Sequence, residues 1–192
     1  MLPDEALLEA WRGGDARAGS ELLSRYFPIL YRFFANKVGN DVDDLIQQTL
    51  LACVHSRDSF RGEGAVRTYF LRIARSKLYD HFRGKLRDRV DPDFGLSSVQ
   101  DLGTSPSSVA GRNEQNGRLL LALRGLPTDL QVALELFYWE ELSIEELSAV
   151  LEIPSGTAKS RLRRAREALA ERLGDQPPER LEPPAVRHDS VG

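Results

Sequence analysis

The spacing of the apolar residues is the feature that most constrains the fold. In one segment after another they recur every three or four positions, as in Leu22, Tyr26, Leu30 and Phe33. This spacing places them on one face of an α-helix, whereas a half-buried strand would alternate apolar and polar residues. No segment shows that alternation, so the sequence predicts an all-α protein.

Between Gly84 and Arg112 the helical spacing fails, and turn-forming residues such as Asp91-Pro92-Asp93 take over. The pattern resumes with Leu119 and ends at Gly174, before a proline-containing tail that we expect to be disordered. We therefore predict two small helical domains joined by a flexible linker. The predicted parts are a first domain 1–87, a linker 88–113, a second domain 114–173 and a tail 174–192.

Helix starts are predicted where a side chain can accept from the free backbone N–H groups of a first turn. The predicted caps are Asp15, Asp41 or Asp43, Ser143 in a capping box with Glu146, and Ser155. Breaks are expected at Gly13-Gly14, Gly39-Asn40 and Pro127, and Pro28 is expected to bend or interrupt its helix.

Charge is segregated along this chain of net charge −3. Residues 57–89 contain ten basic and four acidic side chains, and residues 154–173 contain six and two. Acidic residues gather elsewhere, at 41–44 and 135–146. Two basic segments in an acidic protein favour two contacts with a polyanion, although solvated helix faces would give the same pattern.

Several functional classes find no support in the sequence. The single cysteine, Cys53, cannot form an internal disulfide and suits a reducing cytoplasm. No apolar run approaches the roughly 18 to 20 residues of a membrane helix, and the acidic N-terminus does not resemble a secretory signal. No metal-ligand spacing, phosphate loop or nucleophile motif occurs, so we expect no cofactor, no metal and no enzymatic activity.

The segment 142–169 is the strongest local signal. A short helix, a tight turn through Pro154 and a second helix that begins with basic residues form the pattern of a helix-turn-helix. If Leu162 and Ala165 point inward, hydroxyl and basic side chains point outward from the first turns, where they can reach base edges and phosphates in the major groove. The outward residues are Thr157, Lys159, Ser160, Arg163 and Arg164.

This segment resembles the fourth conserved region of bacterial sigma factors, and the resemblance extends from Leu126 to Leu169. In that family the second helix reads the minus-thirty-five element of the promoter. The resemblance implies base contacts by Lys159, Ser160, Arg163 and Arg164, and phosphate contacts by Ser155, Thr157 and Arg161. Glu141 stands where relatives often have glycine, so the preceding turn is expected to differ slightly.

The N-terminal half resembles the same family independently. The segment Asp41–Leu50, with its Asp-Leu-x-Gln core, is similar to the helix that docks on the clamp coiled coil of the largest polymerase subunit. An acidic helix start is also simply favourable for the helix dipole. The implied polymerase-binding residues are Asp41, Asp43, Asp44, Leu45, Gln47 and Gln48.

The residues from Phe60 to Arg83 resemble the loop and helix that recognise the minus-ten element. In the family the loop captures a flipped base and the helix lines the separated strand, which offsets the cost of unstacking. Tyr69 stands where relatives usually carry tryptophan; with Phe70 it is expected in the core. The implied contact residues are Phe60, Arg61, Gly62 and Glu63 in the loop and Arg72, Arg75, Ser76, Lys77 and Asp80 on the helix.

A chain with only the second and fourth sigma domains is similar to the extracytoplasmic-function class. That resemblance implies promoter DNA and core RNA polymerase as partners, including the flap of the second-largest subunit, and it leaves open an anti-sigma partner. Two other functions remain open: a free-standing helix-turn-helix regulator that binds an operator, and a degenerate sigma-like module that titrates regulators.

Overall fold

The computed structural model describes residues 2–60, 65–88 and 114–174, without the side chains of Ser59, Asp88 and residues 114–116. Within those ranges the chain forms α-helices and one short 3-10 helix, and no strand, which confirms the predicted fold class. None of the helices in the described ranges has both the length and the apolarity needed to cross a membrane. The predicted linker and tail lie almost wholly outside the described residues.

The α-helices of the described residues divide into two sets of four. The first set is α1 (Asp4–Arg12), α2 (Ala16–Ala35), α3 (Val42–Ser56), followed by the 3-10 turn Arg57–Ser59, and α4 (Val66–Asp88). The second set is α5 (Glu114–Arg124), α6 (Thr128–Tyr138), α7 (Ile144–Leu151) and α8 (Ser155–Leu173).

Two of the predicted caps form. The Asp15 carboxylate accepts from the backbone N–H groups of Arg17 and Ala18 at the start of α2. Ser143 and Glu146 form the reciprocal capping box of α7, with the Ser143 N–H donating to the Glu146 carboxylate at 2.8 Å. These caps are local sequence properties, so the sequence predicts them well.

Three local predictions need correction. Ser155 is the first residue of α8 and Pro154 holds the N-cap position, where no side chain caps the helix. Asp41 holds the N-cap position of α3 without capping it, because its carboxylate accepts from Lys85 at 2.7 Å instead. Helix α2 continues through Pro28, which therefore does not interrupt it.

One hydrophobic cluster lies among α1, α2, α3 and α4. The rings of Tyr26 and Phe70 stack at 4.1 Å between centroids, and Tyr69 packs edge-on against Phe70 at 5.6 Å. Tyr69 and Phe70 are 4% and 0% exposed, which confirms their expected place in the core. Trp11 and the free thiol of Cys53 are buried in the same cluster.

The second hydrophobic cluster is continuous across both sets of helices. It includes Leu30 and Phe34 of α2, Leu78 of α4, Val132 of α6 and Leu147 of α7, all fully buried. Helix α4 accordingly packs against α7. The two halves therefore lie against each other, although the sequence pattern predicted only that both exist.

Candidate nucleic-acid interface

The orientation of α8 is fixed by its buried stripe of Ala158, Leu162, Ala165 and Leu169. The turn before it is tight: Glu152 takes a left-handed conformation (φ 54°), and the hydroxyl of Ser148 donates to the carbonyl of Ile153 at 2.6 Å. With the stripe inward, six of the seven predicted DNA-facing residues are exposed. They are Ser155, Thr157, Lys159, Ser160, Arg163 and Arg164.

The outward side chains of α8 are only lightly engaged within the protein. Ser160 donates to the carbonyl of Thr157 at 2.9 Å, and Arg163 forms an exposed ion pair with Glu167 at 2.8 Å. Lys159 and Arg164 have no ion-pair partner among the described residues. An exposed ion pair such as Arg163–Glu167 contributes little stability. Arg163 can therefore leave Glu167 and contact a phosphate or a base edge instead.

Arg161 is the exception among the seven. Its side chain is 17% exposed, and its Nε lies 3.6 Å from a carboxylate oxygen of Asp129 at the start of α6. The predicted set of DNA-facing residues did not include Arg166, which the structure shows exposed on α8. Its guanidinium lies 5.6 Å from the ring centroids of both Phe137 and Tyr138 and donates to the Tyr138 hydroxyl at 2.8 Å.

The second basic face lies on α4. Arg72, Ser76 and Asp80 are exposed and Lys77 is half-buried. Arg75 differs because its side chain is 20% exposed, pairs with Glu152 of the other half at 3.3 Å and lies over the ring of Tyr79. The α4 face is thus partly free and partly in contact with the second set of helices.

The predicted base-capturing loop lies mostly outside the described residues, which omit Arg61, Gly62 and Glu63. Phe60, at its start, is half-buried with its ring 5.0 Å from that of Tyr69. Arg12 lies over the same ring and donates to the Phe60 carbonyl. The start of the loop is therefore anchored to α1 and α4.

Helix α3 presents the acidic and amide side chains that the sequence singled out. Asp43, Asp44, Gln47 and Gln48 are exposed, and Gln48 donates to Asp44 at 2.7 Å. Leu51 is 51% exposed on the same helix, an apolar residue off the buried stripe that the sequence reasoning passed over.

Two of the predicted polymerase-binding residues have structural partners instead of a free surface. Leu45 is 1% exposed in the core, where it fixes the rotation of α3. Asp41 accepts from Lys85 and lies 3.5 Å from His81. The Lys85 hydrogen bond lowers the pKa of the Asp41 carboxyl, while burial lowers the pKa of His81.

Comparison with known proteins identifies the family of this chain. Residues 21–88 match the family model for Sigma-70 region 2, and residues 116–169 match that for Sigma-70, region 4. The ECF RNA polymerase sigma-E factor of Haemophilus influenzae is 30% identical over 185 residues, which cover 90% of this chain and 96% of that protein. The chain belongs to the extracytoplasmic-function sigma factors. It is thus a sigma factor that directs transcription, and the free-standing regulator is not favoured.

Other relatives of this sigma factor agree. The sigma-E factor of Escherichia coli is 30% identical over 178 residues, 88% of this chain and 93% of its own. The sigma factor RpoE of Bartonella quintana, solved in complex with the anti-sigma factor NepR, is 27% identical with a TM-score of 0.65. That likeness covers 80% of this chain and 95% of the solved one.

Proposed function

We propose that this sigma factor contacts promoter DNA with the exposed faces of α8 and α4 while the outward face of α3 holds core RNA polymerase. The observation that carries the proposal is the placement of the α8 side chains. The buried stripe turns Thr157, Lys159, Ser160, Arg163 and Arg164 outward from the first turns of a helix-turn-helix. A helix presented in this way enters the major groove of the minus-thirty-five element.

The α4 face supplies the proposed contact with the minus-ten element. Arg72, Ser76, Lys77 and Asp80 would line the separated strand, and the loop from Phe60 to Glu63 would hold a flipped base. Stacking and charge together offset the unstacking cost of a few kcal/mol. This assignment keeps residues 1–87 and 114–173 as the two functional domains and 88–113 as the linker between them.

The α3 face supplies the proposed contact with the clamp coiled coil of the largest subunit. The exposed apolar side chain of Leu51 lies on the same helix as four exposed polar residues, Asp43, Asp44, Gln47 and Gln48. Such a mixture of polar and apolar groups suits contact with a coiled coil. Leu45 would act from inside the core by fixing the rotation of this face. The second domain would meet the flap of the second-largest subunit.

We also propose an anti-sigma factor as a partner and the cytoplasm as the site of action. The support for the anti-sigma partner is the similar RpoE structure, which was solved in complex with the anti-sigma factor NepR. The support for the cytoplasm is the single, buried, unpaired cysteine.

Run-off transcription with purified core polymerase on a library of genomic promoters tests the proposal. The wild-type chain should direct initiation at a defined set of promoters that core alone does not use.

Asp44→Ala plus Gln47→Ala should raise the Kd for core polymerase at least about tenfold, a loss of roughly 1.4 kcal/mol of binding free energy. Glu5→Ala plus Ser24→Ala removes one exposed acid and one neutral polar group elsewhere in the same domain and should leave the Kd unchanged. Equal Kd values for both double variants would contradict the docking assignment.

A further inference from the structure

The side chain of Arg166 on α8 lies against two aromatic rings at the end of α6, which we call the aromatic corner. The rings of Phe137 and Tyr138 meet nearly at right angles, with 5.1 Å between their centroids and 82° between their planes. The Arg166 guanidinium lies 5.6 Å from each centroid, and its Nε donates to the Tyr138 hydroxyl at 2.8 Å. The rings attract the cation and the hydrogen bond orients its plane. The folded protein therefore sets the direction of the Arg166 side chain.

The groups that hold Arg166 are electrically neutral. A hydroxyl and two rings orient the guanidinium without supplying negative charge, and no carboxylate in the described part of the chain forms an ion pair with it. The Tyr138 hydroxyl takes only the Nε–H, so the four N–H groups on the two Nη nitrogens have no hydrogen-bond partner among the described residues. Because Arg166 is exposed, these groups and the positive charge are open to an anionic ligand from outside.

Arg161 has the opposite surroundings on the same helix. Its side chain is 17% exposed, and its Nε lies 3.6 Å from a carboxylate oxygen of Asp129 at the start of α6. Arg161 and Arg166 are five residues apart, which separates them by about 140° around the helix axis. Helix α6 packs against α8, so its first residues reach one edge of α8 and its last residues reach the other. The arginine at one edge is thus paired within the protein, and the arginine at the other edge is not.

The position of Arg166 along α8 suits a phosphate better than a base. It follows Lys159 and Arg163 by seven and three residues, which places the three side chains along one side of the helix. Arg166 is also the farthest of them from the helix start, roughly 16 Å along the axis from Ser155 at 1.5 Å per residue. The major groove is only about 8.5 Å deep. If the first turns of α8 enter the groove, Arg166 lies at the mouth, where the phosphates are.

The width of the groove leads to the same expectation. The major groove is about 12 Å wide, and a helix with its side chains measures about 10–12 Å across. A sugar–phosphate strand therefore runs along each edge of an inserted helix. The edge that carries Arg166 offers its strand an exposed cation, whereas the cation at the opposite edge, Arg161, is already paired with Asp129.

We propose that Arg166 binds a backbone phosphate beside the minus-thirty-five element and that Tyr138 is the positioning residue that orients its guanidinium for this contact. The proposal rests on the proposed function, which places α8 in the major groove. A guanidinium oriented before binding loses less side-chain freedom than a mobile one, and its planar fork of N–H groups fits the oxygens of a phosphate. The contact adds affinity and orientation without sequence preference. Arg161 instead joins α8 to α6, although the family resemblance had implied a phosphate contact there.

The salt dependence of DNA binding tests the contact. The full chain is assembled with core polymerase, and its Kd for a duplex that carries the minus-thirty-five element is measured over a series of salt concentrations. Each phosphate contact contributes about 0.9 to the slope of log K against log salt. Arg166→Gln should therefore make the slope shallower by about 0.9. It should also raise the Kd at low salt by the same factor for duplexes with different minus-thirty-five bases. Arg166→Lys keeps the charge and should keep the wild-type slope.

Tyr138→Phe separates orientation from charge, because it removes the hydroxyl and keeps both rings. It should raise the Kd while leaving the slope as in wild type. Arg118→Gln is the matched control, since it removes the same charge from an exposed site on α5 and should change neither quantity. Circular dichroism should show unchanged helix content in every variant, which separates a lost contact from a lost fold.

The outcomes that would overturn the inference are distinct. An unchanged slope for Arg166→Gln, or an equal change for Arg118→Gln, would overturn the phosphate contact. An unchanged Kd for Tyr138→Phe would overturn its positioning role. A shallower slope for Arg161→Gln, with none for Arg166→Gln, would return the phosphate contact to Arg161.

Arg164→Ala in the same assay distinguishes failure of this inference from failure of the proposed function. If Arg164→Ala raises the Kd while Arg166→Gln leaves the slope unchanged, α8 still reads the promoter and only the Arg166 contact is wrong. If both variants bind like wild type, α8 does not enter the groove, and the proposed function and the inference are both overturned.

Discussion

At the scale of the single residue, Glu141 is held in a conformation that its side chain disfavours. Its φ is 49°, in the turn between α6 and the capping box of α7. The sequence had marked this position because relatives often carry glycine there. A left-handed non-glycine residue costs about 1–2 kcal/mol, so the turn is formed against the preference of its own residue.

Glu141→Gly should raise the free energy of unfolding by about 0.5–1 kcal/mol, because relief of the left-handed strain exceeds the added entropy of the unfolded chain. Denaturation followed by circular dichroism measures the change. Glu141→Ala keeps the Cβ and should stay close to wild type. A loss of stability on introducing glycine would show that the turn is not strained.

The Asp41 carboxylate makes a small contribution to the free energy of unfolding, and acid removes this contribution. Its pKa is lowered from the ordinary value of 3.8 by the Lys85 hydrogen bond, so the folded state favours the ionised form. The stabilisation is complete above the unfolded pKa and is lost as pH falls through the lower folded pKa.

Asp41→Asn should therefore lower stability at pH 7, by less than about 1 kcal/mol since the pair is partly exposed, and its effect should be smaller near pH 2. Asp43→Asn, beside it with no ion pair among the described residues, is the control. Urea midpoints at both pH values measure the difference. Equal effects of Asp41→Asn at both would remove the Lys85 contact as the cause.

At the scale of the element, two glycines inside long helices have opposite surroundings. A Cβ at Gly19 of α2 would lie 2.4 Å from the indole nitrogen of Trp11, so the glycine allows α1 to approach. A Cβ at Gly84 of α4 would meet nothing within 4 Å. The first glycine serves packing between helices, and the second only weakens its own helix.

Gly19→Ala should lower the free energy of unfolding by about 1–3 kcal/mol, because the rigid indole must shift in a filled core. Gly84→Ala should raise it by about 0.5–1 kcal/mol through helix propensity alone. Thermal denaturation of the two variants compares them directly. A stabilising Gly19→Ala would mean that α1 does not pack as described.

The recognition helix makes a prediction about DNA. Arg164→Ala should cost about 1–3 kcal/mol of affinity for the minus-thirty-five element, because the proposed contact of this exposed guanidinium with a base edge is lost. Arg118→Ala removes the same charge from an exposed site on α5 and should change affinity little. Holoenzyme binding to promoter fragments at fixed salt gives both values; equal losses would indicate a general charge effect.

At the scale of the whole molecule, the second hydrophobic cluster is continuous across both halves. The chain contains two tryptophans, Trp11 in α1 and Trp139 after α6, both buried and one in each half. Single-tryptophan variants, Trp11→Phe and Trp139→Phe, therefore report on each half separately.

The two fluorescence reporters should give coincident denaturant midpoints, because the halves share a continuous core and the Lys37–Glu135 pair. Adding Glu135→Gln to each variant should separate the midpoints. Midpoints that already differ in the single-tryptophan variants would show that the halves unfold independently and that the shared core contributes little.

Much of the fold could be predicted from the sequence because it is local. Helix spacing, the caps at Asp15 and Ser143, and the outward placement of Lys159 and Arg164 depend on residues a few positions apart. The predicted cap at Ser155 and an interruption of the helix at Pro28 were wrong, because the surrounding structure outweighed weak local preferences.

The sequence by itself determined the helices, their faces and the family, since each of these follows from patterns within one segment. Only the tertiary structure decided which charged residues are free and which are engaged. Lys37 and Glu135 are 98 positions apart, and Arg75 and Glu152 are 77 apart, so no periodicity connects them. These pairings exist because apolar faces of the two halves pack in one core, which brings the polar residues at the edges of those faces into contact.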